Sequence, residues 1–187
     1  FLSAQNANLL LQQILDLRRG VDLLVACKDV DPKRIAYVGH SYNAGAGGIL
    51  AGVEKRIKAF VLMAGVLSNA EIMRSNAPEI VQWRQAVGEK RLEEYLANYG
   101  WLDPGNYVGH AAPSAVMLQY ARNDGILTEP LERHYFDLVS EPKELKIYET
   151  GHALDAQARR DRFKWLRAQI GLRHLDPSVL DNVKEVK

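Results

Sequence analysis

The chain has very little cysteine, no long apolar run and no excess of charge of either sign. Its 187 residues include one cysteine, and 24 Lys and Arg residues stand against 23 Asp and Glu residues. A single cysteine cannot form an internal disulfide, and without a CxxC motif or a Cys/His cluster no metal site is expected. The balanced charge gives no basic patch that would indicate binding to nucleic acid or to an anionic membrane.

No apolar stretch approaches the roughly 18 residues that a membrane-spanning helix needs. Apolar residues make up 47% of the chain and charged residues 25%, which is typical of a globular domain and predicts one domain over residues 1–187. The chain begins at Phe1 rather than at methionine, so the sequence leaves its cellular localisation open.

Apolar residues recur at spacings of three and four between residues 4 and 27, which predicts an amphipathic helix. Cys27 follows the apolar stretch at residues 23–26 and is expected to be a small buried residue. Further along, strands are predicted at 34–39, 59–64, 115–120 and 145–148, and helices at 42–54, at 129–139 and between 152 and about 170.

This alternation of strands and helices predicts an α/β fold, an open and mostly parallel sheet with helices on both faces. A polar, aromatic-containing segment at 69–111 is predicted to be a helical insertion after the second strand. The charged tail at 171–187 is predicted to lie on the surface.

Three residues with catalytic chemistry come just after predicted strands: Ser41, Asp124 and His152. Because the carboxyl ends of parallel strands meet at one edge of the sheet, these side chains are expected to converge there. A serine hydroxyl is a poor nucleophile at neutral pH unless a base lies within hydrogen-bond reach and a carboxylate orients that base. The three residues can fill these roles in the order Ser, Asp, His.

Three short motifs carry these residues: Gly39-His40-Ser41-Tyr42, Tyr120-Ala121-Arg122-Asn123-Asp124 and Thr150-Gly151-His152. With them, residues 4–170 resemble the C-terminal two-thirds of an α/β hydrolase, closest to esterases similar to dienelactone hydrolase and prolyl oligopeptidase. The resemblance implies that Ser41 is the nucleophile, Asp124 the acid and His152 the base, with the backbone N–H of Tyr42 in the oxyanion hole. It implies a small-molecule ester substrate, an acyl-enzyme intermediate and no metal or organic cofactor.

The sequence departs from the family pattern at two positions. Asn43 stands where the Gly-x-Ser-x-Gly motif has its second glycine, and Ser41 stands where dienelactone hydrolases have cysteine. Asparagine tolerates unusual backbone angles better than most residues, so the turn is still expected to form. Its bulk is expected to affect the shape of the neighbouring pocket.

The predicted insertion at 69–111 occupies the usual position of a cap in this family. It is therefore expected to fold over the site and to influence the choice of substrate. The candidate substrate-contacting residues are its aromatic side chains: Trp83, Tyr95, Tyr99 and Trp101. Packing in the core is the alternative role for each of them.

Each of the three proposed catalytic residues also has a purely structural interpretation. Ser41 could be only a helix N-cap, Asp124 only a turn residue, and His152 only the start of a helix. Asp103, Glu149 and Asp155 are further candidate acids, although none follows a strand as closely as Asp124. The other four histidines have no comparable partners and are expected at the surface or in local packing.

Two alternative functions also remain. A catalytically inactive hydrolase fold could serve as a binding protein, because fold does not determine function. A nucleotide site is the weaker alternative, since Leu50 occupies the position of the third glycine in GxGxxG and no GK[ST] motif is present. Within the hydrolase interpretation, the sequence does not separate an esterase from a peptidase or a thioesterase.

The family places about four strands and a helix before the segment that matches residues 4–27. Without them the strand at 34–39 would be an open sheet edge beside an apolar helix face, which favours pairing or aggregation. We therefore expect roughly 80–120 further residues before Phe1, or a second chain that covers this edge. Mass spectrometry and size-exclusion chromatography of the native protein test this expectation. A soluble, active monomer of 21.0 kDa would contradict it.

Overall fold

A computed structural model describes residues 3–173 and 176–181. Its centre is a four-stranded parallel sheet with the strand order β1-β2-β3-β4. The strands are β1 (Ala36–His40), β2 (Ala59–Met63), β3 (Ala115–Ala121) and β4 (Lys143–Tyr148). The predicted α/β class is therefore confirmed, and each predicted strand lies within two residues of its observed bounds.

Helices connect and follow the strands. They are α1 (Ala4–Ala26), α2 (Tyr42–Val53), α3 (Asn69–Arg74), α4 (Pro78–Val87), α5 (Glu89–Tyr99), a 3₁₀ helix (Gly100–Leu102), α6 (Gly105–Val108), α7 (Glu129–Leu138), α8 (Ala156–Ile170) and α9 (Pro177–Asp181). The predicted insertion at 69–111 thus consists of α3 to α6 with the 3₁₀ helix. Within the described ranges, none of these helices combines the length and the hydropathy that crossing a membrane requires.

Helix α9 is the helical part of the predicted surface tail, of which the structure describes residues 171–173 and 176–181. Arg159 of α8 donates a hydrogen bond from Nη1 to the carbonyl oxygen of Leu180, at 2.7 Å, which ties the tail to α8. Residues 174, 175 and 182–187 of the tail lie outside the described residues.

The sheet is covered on both faces, and its two central strands are buried along their whole length. Leu62 and Leu118 point to the face covered by α1, α2 and α7, whereas Val61 and Met117 point to the face where α8 places Trp165. Because successive side chains of a strand point to opposite faces, each central strand contributes to two cores.

Strand β1 forms the edge of the sheet in the part of the chain that is described, where it pairs with β2 alone. Val38 of this strand is 47% exposed, and Leu23 of the neighbouring α1 is 74% exposed. The coverage of this edge by a further segment or chain stays a prediction.

The expectation that Cys27 is buried is wrong, because the cysteine is exposed at the C-cap of α1. Helix α1 faces the core through Ala7, Ile14 and Val21, which repeat every seven residues. Six positions after Val21 the helix has turned by about 240°, so Cys27 points away from that face.

Glycine at position 39 allows the first turn of α2 to lie against β1. A Cβ atom on Gly39 would lie 2.6 Å from the carbonyl oxygen of Asn43 and 2.7 Å from the ring of Tyr37. Neither distance is compatible with a real side chain, so the backbone would have to move.

We expect Gly39→Ala to lower the free energy of unfolding by about 1–3 kcal/mol, the usual cost of overpacking. Gly20→Ala is the matched control, because a Cβ atom there would meet nothing within 4 Å in the interior of α1. The control should raise stability by about 0.5–1 kcal/mol. Urea denaturation of both variants measures the difference, and equal effects would contradict the proposed close approach.

Candidate active site

Ser41 lies on a sharp turn between β1 and α2, with φ 55° and ψ −120°. Residues other than glycine seldom adopt a positive φ, and such backbone strain is often found at functional sites. A hydrogen bond from the Ser41 N–H to the carbonyl oxygen of Met63, at 2.8 Å, holds the turn against β2. Ser41 is at the N-cap position of α2, but its side chain makes no capping bond, so its hydroxyl is available elsewhere.

The structure brings the side chains of Ser41, His152 and Asp124 together in a chain of hydrogen bonds. Ser41 Oγ lies 2.9 Å from His152 Nε2, and His152 Nδ1 lies 2.7 Å from Asp124 Oδ2. An ionised carboxylate only accepts hydrogen bonds, so Nδ1 donates and Nε2 is left to accept from the serine hydroxyl. This is the arrangement in which an imidazole can remove the proton of a serine.

The Asp124 side chain accepts hydrogen bonds from both the following turn and His152. Its side chain is 1% exposed. Its Oδ1 atom accepts hydrogen bonds from the N–H groups of Ile126 and Leu127 at 2.9 and 3.3 Å. The second oxygen is therefore held toward His152. His152 itself does not begin a helix, since α8 begins four residues later at Ala156.

His40 is a residue of the site that the sequence analysis missed. Its Nε2 atom donates to the carbonyl oxygen of His152 at 2.8 Å, and the two rings lie 4.9 Å apart. This bond to a backbone carbonyl agrees with the expectation of local packing, and it forms because the segment after β4 brings His152 back toward the carboxyl end of β1. Its position directly before Ser41, at the end of a strand, was the available signal.

The further candidate acids all have structural partners. Asp103 is buried and accepts from the N–H groups of Ala70 and Gly105, each at 3.1 Å. Glu149 pairs with Arg122 at 2.6 Å, and Asp155 caps α8. No group of three or more His, Cys, Asp or Glu side chains in residues 3–173 and 176–181 is placed to hold a metal ion.

Tyr42 is the first residue of α2, so its N–H has no acceptor within the helix and points out of the helix N-terminus.

Asn43 has helical backbone angles, and its side chain points to α1, where Gln13 donates to Asn43 Oδ1 at 2.8 Å. Asn43 is not among the residues that line the cavity beside Ser41.

A cavity of 280 Å³ opens beside Ser41 and His152. Among the aromatic residues of the insertion, Trp83 lines this cavity, whereas Trp101 does not and is 53% exposed. Tyr95 and Tyr99 pack on each other, with ring centroids 5.2 Å apart, and do not line the cavity either.

The glycines after the turn lie inside α2 rather than in a phosphate-binding loop. A Cβ atom on Gly47 would lie 2.5 Å from both Leu62 Cδ2 and Tyr37 Cε1. The glycine therefore allows the helix to approach the sheet closely, and this packing accounts for it without a nucleotide.

Glu132, on α7, is a buried carboxyl group near the Asp124 side chain. It is 1% exposed, and neither of its oxygens has a hydrogen-bond partner in the described part of the chain. Burial, followed by the negative charges of Asp124 and Glu129, raises the pKa of Glu132 from 4.5 to about 7. The carboxyl group of Glu132 therefore stays mostly protonated at mildly acidic pH.

Comparison with solved structures identifies the fold of the chain. No family model and no curated protein matches the sequence. Among solved structures, an acetyl xylan esterase from Paenibacillus sp. R4 superimposes with a TM-score of 0.72 at 22% identity, over 84% of this chain and 52% of its own. Acetyl xylan esterase 1 from Thermoanaerobacterium sp. JW/SL YS485 gives 0.68 at 17% identity, over 83% and 52%. The α/β hydrolase GrgF from Penicillium sp. sh18 gives 0.63 at 19% identity, over 87% and 73%.

The chain therefore has the α/β-hydrolase fold. It spans about half the length of the two acetyl xylan esterases that it resembles. At these identities the likeness establishes the fold, and the chemistry has to be argued from the site.

The raised pKa of Glu132 predicts how stability changes with pH. Well below pH 4.5 the carboxyl is protonated in both the folded and the unfolded state, so it imposes no penalty. As the pH rises toward 7, the unfolded chain loses this proton first, and the free energy of unfolding falls by up to about 3 kcal/mol. We expect Glu132→Gln to remove this loss, making the variant about 2–3 kcal/mol more stable than the wild type at pH 8.

Urea denaturation at pH 4.5 and pH 8 measures the effect. The two proteins should be nearly equal at the lower pH. Glu94→Gln, at an exposed position of α5, is the control and should change stability by less than about 0.5 kcal/mol at either pH. An equal stability of Glu132→Gln and wild type at pH 8 would contradict the assignment.

Proposed function

We propose that this protein is a serine hydrolase that cleaves a carboxylic ester of a small molecule through an acyl-enzyme intermediate. The observation that carries the proposal is the hydrogen-bonded series Ser41–His152–Asp124 at a strained strand-to-helix turn. Nucleophile, base and orienting acid are the minimum set that this chemistry needs.

In the proposed acylation step, Ser41 Oγ attacks the carbonyl carbon of the ester while its proton passes to His152 Nε2. Asp124 keeps the imidazole in the reactive tautomer and stabilises the imidazolium that forms. When the bond between the carbonyl carbon and the alcohol oxygen breaks, His152 returns the proton to the leaving alcohol. The product at this stage is an ester of Ser41 with the acyl group.

Deacylation repeats the sequence with water. His152 takes a proton from a water molecule, the resulting hydroxide attacks the acyl carbon, and the proton is returned to Ser41 Oγ as the acid leaves. The oxyanion that forms in each step would accept a hydrogen bond from the N–H of Tyr42 at the N-terminus of α2. The family resemblance implies a second donor from a loop that precedes the segment matched here.

The solved structures support the same bond type, because two of the similar proteins are named acetyl xylan esterases. The alternative is an inactive hydrolase fold that binds a partner. It predicts a folded protein in which Ser41 does not react, so a covalent probe separates the two functions.

We expect the full-length protein to hydrolyse 4-nitrophenyl esters, and Ser41→Ala to lower kcat/KM by about 10³-fold or more. A fluorophosphonate probe should label the wild type at Ser41 and leave the variant unlabelled. Ser178→Ala, at an exposed serine of α9, is the control and should keep full activity and labelling.

Circular dichroism of Ser41→Ala should match the wild type, so that lost activity is not lost folding. Hydrolysis that survives Ser41→Ala undiminished would rule out the serine mechanism. A folded wild type that neither reacts with the probe nor hydrolyses any ester would favour the binding protein.

A further inference from the structure

We infer that the cavity beside Ser41 binds an uncharged, apolar group of the substrate with about six to ten carbons. This inference rests on the proposed ester hydrolysis, since Ser41 and His152 line the same cavity. The proposal thus names the substrate class of the site, an ester with a medium-length aliphatic or arylalkyl group on one side.

The lining of the cavity is apolar. The side chains beyond the reacting groups include Val66, Ile72, Met73, Ile80, Trp83 and Leu127. None of the described lining residues is Lys, Arg, Asp or Glu, and Asn69 is the one amide side chain among them. A charged or sugar-like group placed here would lose its hydration without finding enough partners, which is costly.

The volume sets the size of the group. The cavity measures 280 Å³. An apolar protein cavity of about 150 Å³ accommodates benzene, so this one has room for a group nearly twice that size. An acetyl group would leave most of the cavity without contacts, whereas a hexanoyl to decanoyl group would fill it.

Helices α3 and α4 each contribute a long side chain to the wall of the cavity. Met73 belongs to α3 and Trp83 to α4, and both are partly exposed rather than buried in the core. Arg84 joins the two helices by donating to the carbonyl oxygen of Met73 at 2.8 Å. The length of the group that fits should therefore depend on these two side chains.

Two ester series test the inference and show which side of the ester enters the cavity. The first uses 4-nitrophenyl acetate, butyrate, hexanoate, octanoate and dodecanoate; the second uses methyl, butyl, hexyl and octyl acetates. In the series whose variable group enters the cavity, kcat/KM should rise about threefold to fourfold per added CH₂ and then level off at six to ten carbons. A flat or falling profile in both series would overturn the inference.

Matched tryptophan variants locate the effect. Trp83→Ala should move the optimum to longer groups, and Met73→Trp should move it to shorter groups and lower the rate on octanoate more than on acetate. Trp101→Ala, at the exposed tryptophan of the same insertion, should leave the length profile unchanged. Profiles that shift equally in the Trp83 and Trp101 variants would count against the assigned wall.

Binding to the Ser41→Ala variant separates this inference from the proposed reaction. By calorimetry, methyl octanoate or octyl acetate should bind at least tenfold more tightly than methyl acetate, and Trp83→Ala in the same background should weaken that preference. If binding shows this preference but the wild type does not react with the fluorophosphonate, the reaction fails and the pocket stands. If the wild type reacts but neither longer ester is preferred, the pocket fails and the reaction stands.

Discussion

The close contact between the first turn of α2 and strand β1 is the constraint on which the rest of the site depends. Gly39 lets the Asn43 carbonyl approach, and the Tyr37 hydroxyl donates to that carbonyl at 2.7 Å. With helix and strand so close, the connecting residue has to reverse direction within one position. Ser41 therefore carries the positive φ, and its hydroxyl projects from the edge of the sheet toward His152.

The parallel register converts this local turn into a site with three components. All four parallel strands have their carboxyl ends on the same side of the sheet. The residues that follow β3 and β4 can therefore meet the residue that follows β1. His152 is attached at two points, by Asp124 at its ring and by His40 at its carbonyl oxygen. The imidazole is thereby positioned by contacts with residues from two other strand ends.

Two buried carboxyl groups near the site, those of Asp124 and Glu132, have different surroundings. Asp124 is buried but accepts hydrogen bonds from two backbone N–H groups and faces His152. Glu132 is equally buried but has no such partners in the described chain, and burial favours its protonated form. Glu132 therefore adds little negative charge near Asp124 while the pH stays well below 7.

Local patterns in the sequence were sufficient for the four strands and for the choice of the three proposed catalytic residues, whereas the separate helices within 69–111 were predicted only as one helical segment. The apolar runs predicted all four strands. Ser41, Asp124 and His152 were chosen because each follows a predicted strand, and binding sites of parallel sheets lie at the carboxyl ends of the strands. Both signals are carried by neighbouring residues along the chain.

Only the tertiary structure decided which side chains surround those residues. Trp83 and Trp101 are both tryptophans of the 69–111 segment, yet Trp83 of α4 lines the cavity, whereas Trp101 of the 3₁₀ helix is exposed. The contact between His40 and His152 joins residues 112 positions apart. The exposure of Cys27 depends on which face of α1 packs against the core. Such contacts depend on long-range packing, which the periodicity of a single segment does not encode.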